Sequence, residues 1–226
     1  MSDDERIERA SEVMLAFAER TGIRSGEDQT RYLWTDAFAV CNFLGLHRAT
    51  GDARHRELAL LTIERVHREL GRHRGDDVHD GWLDHASEDH PTRGGLRIGK
   101  RFPEREPGEP LRPDLEWDRD GQYFHYLTKW MHALDQASRA TGDARYDLWA
   151  RELMVAAHDG FTYRTPGGVL RMHWKMSIDL SRPLVDSMGQ HDPLDGWVTA
   201  MELRRTADEL SSSAGPRLDD ALSDFA

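Results

Sequence analysis

Arg48-Ala-Thr-Gly-Asp-Ala-Arg54 returns 91 residues later as Arg139-Ala-Thr-Gly-Asp-Ala-Arg145. In each copy Gly51 or Gly142 suits the left-handed position that ends a helix, and Asp52 or Asp143 suits the cap that starts the next. Apolar residues recur at helical spacing on both sides. Before the first copy stand Leu33, Ala37, Val40, Cys41 and Leu44; after it stand Leu58, Leu61, Val66 and Leu70. Leu127, Met131 and Leu134 precede the second copy, and Leu148, Leu153 and Ala156 follow it. The spacing predicts two helical hairpins, the first helix running from about Thr30 to Ala49. A preceding helix is expected over Asp3 to Arg20, with Ile7, Ala10, Val13, Met14, Phe17 and Ala18 on one face, and a last one near Leu194 to Leu210. The fold class is all-α, an array of helical hairpins that builds a partial or complete α/α toroid.

Two long segments interrupt this pattern. Gly75 to Gly121 holds Gly94-Gly95 and the prolines 103, 107, 110 and 113. It also holds Trp82, Leu96, Ile98, Phe102 and Trp117, so an ordered loop is expected rather than disorder. Phe161 to Pro193 carries Gly167-Gly168, read as the turn of a small β-hairpin with arms at Phe161 to Tyr163 and Val169 to Met172. Each segment follows the second helix of a hairpin, so both should emerge on one face. Residues 1–210 read as a single hairpin domain, and 211–226 as a linker followed by an incomplete helix.

The chain has 226 residues and a net charge of −11, which argues against nucleic acid or an anionic membrane as partner. Lysine occurs only at positions 100, 129 and 175, so 27 of the 30 basic residues are arginine, a skew typical of a GC-rich bacterial genome. Cys41 is the single cysteine and excludes an internal disulfide. The acidic start Met1-Ser-Asp-Asp-Glu-Arg does not read as a signal peptide, and a soluble cytoplasmic protein is expected.

Three stretches carry a resemblance. Leu33-Trp-Thr-Asp-Ala-Phe38 with the Thr50-Gly-Asp52 turn, Val78-His-Asp-Gly-Trp82, and Trp117-Asp-Arg-Asp-Gly-Gln-Tyr123 occur in that order. Together they resemble the six-hairpin glycosidases, most nearly the unsaturated uronyl hydrolase branch. Ala37 stands where that branch has glycine, and its second essential aspartate has no identified counterpart. A six-hairpin ring is about twice this chain, so the resemblance implies a truncated member or a homodimer that completes the toroid.

The resemblance implies a glycoside hydrolase acting on an oligosaccharide or uronate-containing glycan, without an organic cofactor. Such chemistry needs two carboxyl groups. Asp80 is the expected acid/base group, with Asp118 or Asp120 as partner. The bland alternatives are a turn role for Asp80 and helix capping for Asp118 and Asp120. Substrate-binding candidates are Trp34, Trp82, Trp117 and Trp174 as sugar platforms, with Arg97, Gln122, His125, Lys175, Arg182 and His191 as hydrogen-bonding groups. Arg93, Arg97 and Lys100 could instead form an anion pocket. Asp76-Asp-Val-His-Asp80 spells an Asp-Asp-x-x-Asp motif, read as chance. His79, His85, His90, His173 and His191 lie in loops, yet no paired spacing marks a metal site and none is expected. The alternative function is a non-catalytic glycan-binding or structural helical module.

Overall fold

The two seven-residue turns adopt the same geometry in the computed structural model, which describes residues 1–25 and 30–226. Gly51 and Gly142 sit at φ of 72° and 71°, where a side chain would strain the backbone. The Asp52 and Asp143 carboxylates each accept from the backbone N–H two residues on, at 2.9 Å. Their own N–H groups donate to Thr50 and Thr141 Oγ1 at 3.1 Å. The Arg54 and Arg145 guanidiniums fold back on the same carboxylates. Four residues of the motif thus have a defined part in the turn, and each Asp cap contributes about 1 kcal/mol.

In chain order, α1 (Asp3–Arg20), α2 (Leu33–Thr50) and α3 (Ala53–Leu70) precede the short α4 (Pro113–Glu116) and strand β1 (Gln122–Tyr123). Next come α5 (Phe124–Thr141), α6 (Ala144–Phe161), β2 (Thr162–Arg164), β3 (Leu170–Met172) and β4 (Lys175–Met176). The helices α7 (Asp192–Glu209) and α8 (Asp219–Phe225) end the chain. The expected β-hairpin forms, pairing Thr162 with Met172 and Arg164 with Leu170. No helix among the described residues is long and apolar enough to cross a membrane.

The helices α2, α5 and α7 run parallel. Tyr32 meets Tyr126 at the start of α2 and α5, and the charge of Asp135 on α5 reaches Cys41 nine residues along α2. Between α5 and α7, Lys129 meets Asp195, His132 meets Glu202, and Arg139 meets Glu209. The core lies behind this row, where Phe43, Leu127, Trp130, Leu134 and Phe161 are fully buried. Each large apolar side chain so buried contributes about 2–3 kcal/mol. Within this core Trp130 Nε1 donates to His67 Nε2 at 3.1 Å. Complete burial pushes the His67 pKa down to about 3, so the imidazole stays neutral.

Both long loops come to the N-terminal ends of the parallel helices and join there. β1 from the first pairs antiparallel with β4 from the second. Ile98 O accepts from Leu33 N, and Trp174 O accepts from Phe124 N, so the loops supply carbonyl partners for the first N–H groups of α2 and α5. Leu96 and Ile98 anchor the first loop in the core, whereas Phe102 and Trp117 remain exposed, contrary to a purely packing role.

The C-terminal segment differs from a free linker. Arg151 on α6 donates to Ala214 O, Pro216 O and Ser212 Oγ. Ala221, Leu222 and Phe225 of α8 are buried, the Phe225 ring lying 5.7 Å from Phe124. Residues 211–226 therefore pack with the rest of the hairpin array.

Candidate functional site

The residues beginning α2 and α5 are unusually rich in rings, and the parallel arrangement brings them together. Trp34 lies 4.9 Å from Tyr126 and 6.0 Å from His125 between ring centroids. Tyr123 continues the row to His125 at 5.5 Å and to Trp174 at 5.2 Å, and Trp174 reaches Trp117 at 5.6 Å. The hydroxyls of Tyr32 and Tyr126 share a hydrogen bond of 2.6 Å. Lys100 Nζ stands over the Tyr32 ring at 5.2 Å. Trp34, His125, Tyr126 and Trp174 are half-buried and Trp117 is exposed, so the row is open to solvent. The buried Tyr123 hydroxyl has no hydrogen-bond partner among the described residues, and burial raises its pKa.

Carboxyl groups enter this face from α7. His191 caps the helix, and Asp192, its first residue, is only 8 % exposed. Burial first, and then the charge of Asp195, push the Asp192 pKa up to about 6; His191 and Lys129 oppose this. Asp195 accepts from both Lys129 Nζ, at 2.8 and 2.9 Å, and Thr128 Oγ1 at 2.5 Å. His125 stands within reach of both Asp195 and Lys129, and its pKa is lowered chiefly by burial. A carboxyl that is about half protonated at pH 6, beside one paired with an ammonium, is an arrangement suited to acid/base work.

Several expected site residues serve the framework instead. Asp120 is fully buried, and its Oδ2 accepts from Arg97 at 2.6 Å and Arg74 at 3.1 Å. Its Oδ1 accepts from the backbone N–H groups of Gly99, Lys100 and Gly121. Five donors leave this carboxylate structural, and they engage Arg97 with it. Gln122 is likewise buried, bonded to Gly94 O, Ile178 O and Leu96 N, and stitches the two loops together. Lys175 donates to Glu116 Oε1 and to the carbonyls of Glu116 and Arg119. Burial lowers its pKa, and the ammonium supports the Tyr123 ring from 5.3 Å.

Asp80, the expected acid, is exposed and accepts from the N–H of Gly81 at 2.6 Å, which is its turn role. Trp82 lies under the Arg72 guanidinium and lines a cleft of about 530 Å3 between α3 and α6. Arg182 is bonded to Glu104 and to Arg105 O. The anion pocket does not assemble: Arg93 pairs with Glu152, Arg97 with Asp120, and Lys100 lies over Tyr32. Residues 76–80 lie in turns, where they cannot make a helical Asp-Asp-x-x-Asp site.

Trp34, Trp117, His125 and Trp174 are thus brought into one row, with His191 beside Asp192. Asp118 is exposed next to Trp117, and its charge reaches Tyr123. Sequence reading missed the pairing of Asp192 and Asp195. Their three-residue spacing on a helix start was the available signal, since it places both on one face. A larger cleft of about 680 Å3, lined by Glu152, Asp159 and Asp179, offers less: His90 and Arg93 already hold Glu152, and among the described residues no indole or phenol lines it. No family model, curated protein or solved structure matches the chain.

Proposed function

We propose that the ring-lined face at the N-terminal ends of α2, α5 and α7 binds a carbohydrate, and that the protein is a glycoside hydrolase of partial α/α-toroid architecture. One observation carries this reading: a solvent-open row of rings from Trp34 to Trp117 beside two carboxyl groups of unlike environment, Asp192 and Asp195. Rings present apolar faces to the C–H faces of sugars, while the polar groups between them take hydroxyls. In this reading Asp192 is the proton donor to the leaving oxygen. Asp195, paired with Lys129, is the second carboxylate. His125 and Asp118 hydrogen-bond the substrate.

The test is cleavage of an oligosaccharide panel, uronate-containing members included, with binding followed on the same panel by calorimetry. Trp34→Ala and Trp174→Ala should each weaken binding about tenfold while leaving thermal stability nearly unchanged. Asp192→Asn should bind normally and abolish cleavage. Binding without cleavage by the wild-type chain would identify a glycan-binding module. Asp195 held by three hydrogen bonds favours that alternative. Wild-type indifference to the whole panel removes both readings.

A further inference from the structure

The loop after α3 is pinched at its neck. Leu83 N donates to Gly71 O and His73 N donates to Gly81 O, both at 2.9 Å, so residues 74–80 form a closed tip. Three side chains of this loop converge. His73 Nδ1 stands 3.5 Å from Asp77 Oδ2, and His79 Nδ1 stands 3.1 Å from Asp77 Oδ1. The two imidazole rings are 5.2 Å apart, and the three groups can each place one ligand atom within 4.8 Å of the others.

The His73 side chain is 10 % exposed, and its buried Nδ1 has no hydrogen-bond partner among the described residues. A buried, unpaired ring nitrogen aimed at a carboxylate costs about 1–3 kcal/mol unless something occupies the gap. Two histidines and a carboxylate are a common donor set for zinc, and ligand atoms about 2.0–2.1 Å from a tetrahedral ion lie about 3.3 Å from one another. The two contacts just given, made to different oxygens of Asp77, lie near that separation.

The surroundings favour a cation. The cluster borders a cavity of about 390 Å3 that also receives Asp84, Glu104, Asp179 and Arg182. Arg74 also lines this cavity, but its guanidinium is taken by Asp76, Asp120 and the carbonyls of Lys100 and Arg101. Burial raises the Glu104 pKa, and the charges of Asp179 and Asp77 add to that rise. Three protein ligands would leave a fourth position for water or an oxygen ligand.

We propose that His73, Asp77 and His79 bind a divalent transition-metal cation of the zinc type, cross-linking the two arms of the 71–83 loop. The site is separate from the aromatic face. Sequence reading weighed His79 as a loop histidine and Asp77 within the Asp-Asp-x-x-Asp stretch, but did not join them with His73, which follows the end of α3.

The experiment is calorimetric titration of tag-free, chelator-treated full-length protein with zinc chloride, and of the same protein with cobalt(II) followed by visible absorption. One equivalent per chain should bind at micromolar concentration or tighter, and cobalt should give the intense visible bands of a four-coordinate site. His79 is 71 % exposed, so His79→Ala should fold normally and lose more than about tenfold in affinity. Asp77→Asn should do the same, whereas His132→Ala, outside the cluster, should bind as the wild type. Failure of the wild type to bind, or equal binding by His79→Ala and the wild type, overturns the proposal.

Discussion

Lys129 Nζ lies 2.8 and 2.9 Å from the two carboxylate oxygens of Asp195, tying α5 to α7 beside Asp192. The pair is about one-third exposed, so its contribution to stability is small, about 0.5–1 kcal/mol. Its electrostatic effect on Asp192 is the larger consequence. Lys129 lowers the Asp192 pKa and Asp195 raises it. Lys129→Met should therefore move the Asp192 titration above about 6, and Asp195→Asn should move it below. Carboxyl NMR titration of the two variants checks both directions, and equal titrations would show that Asp192 does not sense the pair.

Buried carboxyls also set a pH window for stability. Asp36 and Asp192 both have folded pKa values raised to about 6, chiefly by burial, against about 3.9 in the unfolded chain. Between those values the folded state holds more protons than the unfolded one, so these groups cost stability as pH rises from about 4 to 6. His67 acts in the opposite sense. Its folded pKa of about 3 lies below the unfolded 6.5, so its contribution is lost as pH falls through that interval. Asp192→Asn should remove one of the two falling contributions. Urea unfolding at pH 4, 5, 6 and 7 should show the variant gaining relative to the wild type across the upper part of this range.

Asp120 provides a contrast between structure and chemistry. Its carboxylate neutralises Arg97 and Arg74 in a fully buried position and organises three backbone N–H groups. Asp120→Ala leaves Arg97, itself 4 % exposed, with only Glu69 at 3.9 Å as a charge partner. Breaking one side of such a pair costs about 3–5 kcal/mol. The urea midpoint should fall accordingly. Asp118→Asn, an exposed change, should leave it within about 0.5 kcal/mol of the wild type.

The hairpins were readable because each turn is specified locally. The Thr-Gly-Asp-Ala-Arg run satisfies the ends of two helices by itself, and Leu33 to Leu44 marks its own buried stripe. The framework role of Asp120, Gln122 and Lys175 was not readable. Their partners Arg74, Gly94, Ile178 and Glu116 lie from 28 to 59 residues away in sequence, and exposed and buried carboxylates look alike in a loop without helical period. Trp34 and Trp174 were legible as rings, but their convergence with Tyr123 depended on the parallel course of α2 and α5 and on β1 pairing with β4. Asp192 was hidden for a similar reason: its raised pKa comes from packing, which no local pattern announces.

That packing includes Gly189. A Cβ placed on Gly189 would stand 2.0 Å from Asp192 Oδ2 and 2.7 Å from its Cγ. The obstructed atoms are the end of a side chain rather than backbone, so the chain can accept Gly189→Ala by turning the carboxyl outward. Stability should then change by less than about 1 kcal/mol. The Asp192 environment changes more: with less burial, its pKa should fall from about 6 toward the ordinary carboxylate value. If Asp192 donates the proton in glycan cleavage, the variant loses activity at pH 6 while binding through Trp34 and Trp174 persists. Carboxyl NMR titration of Gly189→Ala, run beside a thermal melt, separates the two effects. An unshifted Asp192 with an unchanged melt would show that Gly189 does not hold the carboxyl in place.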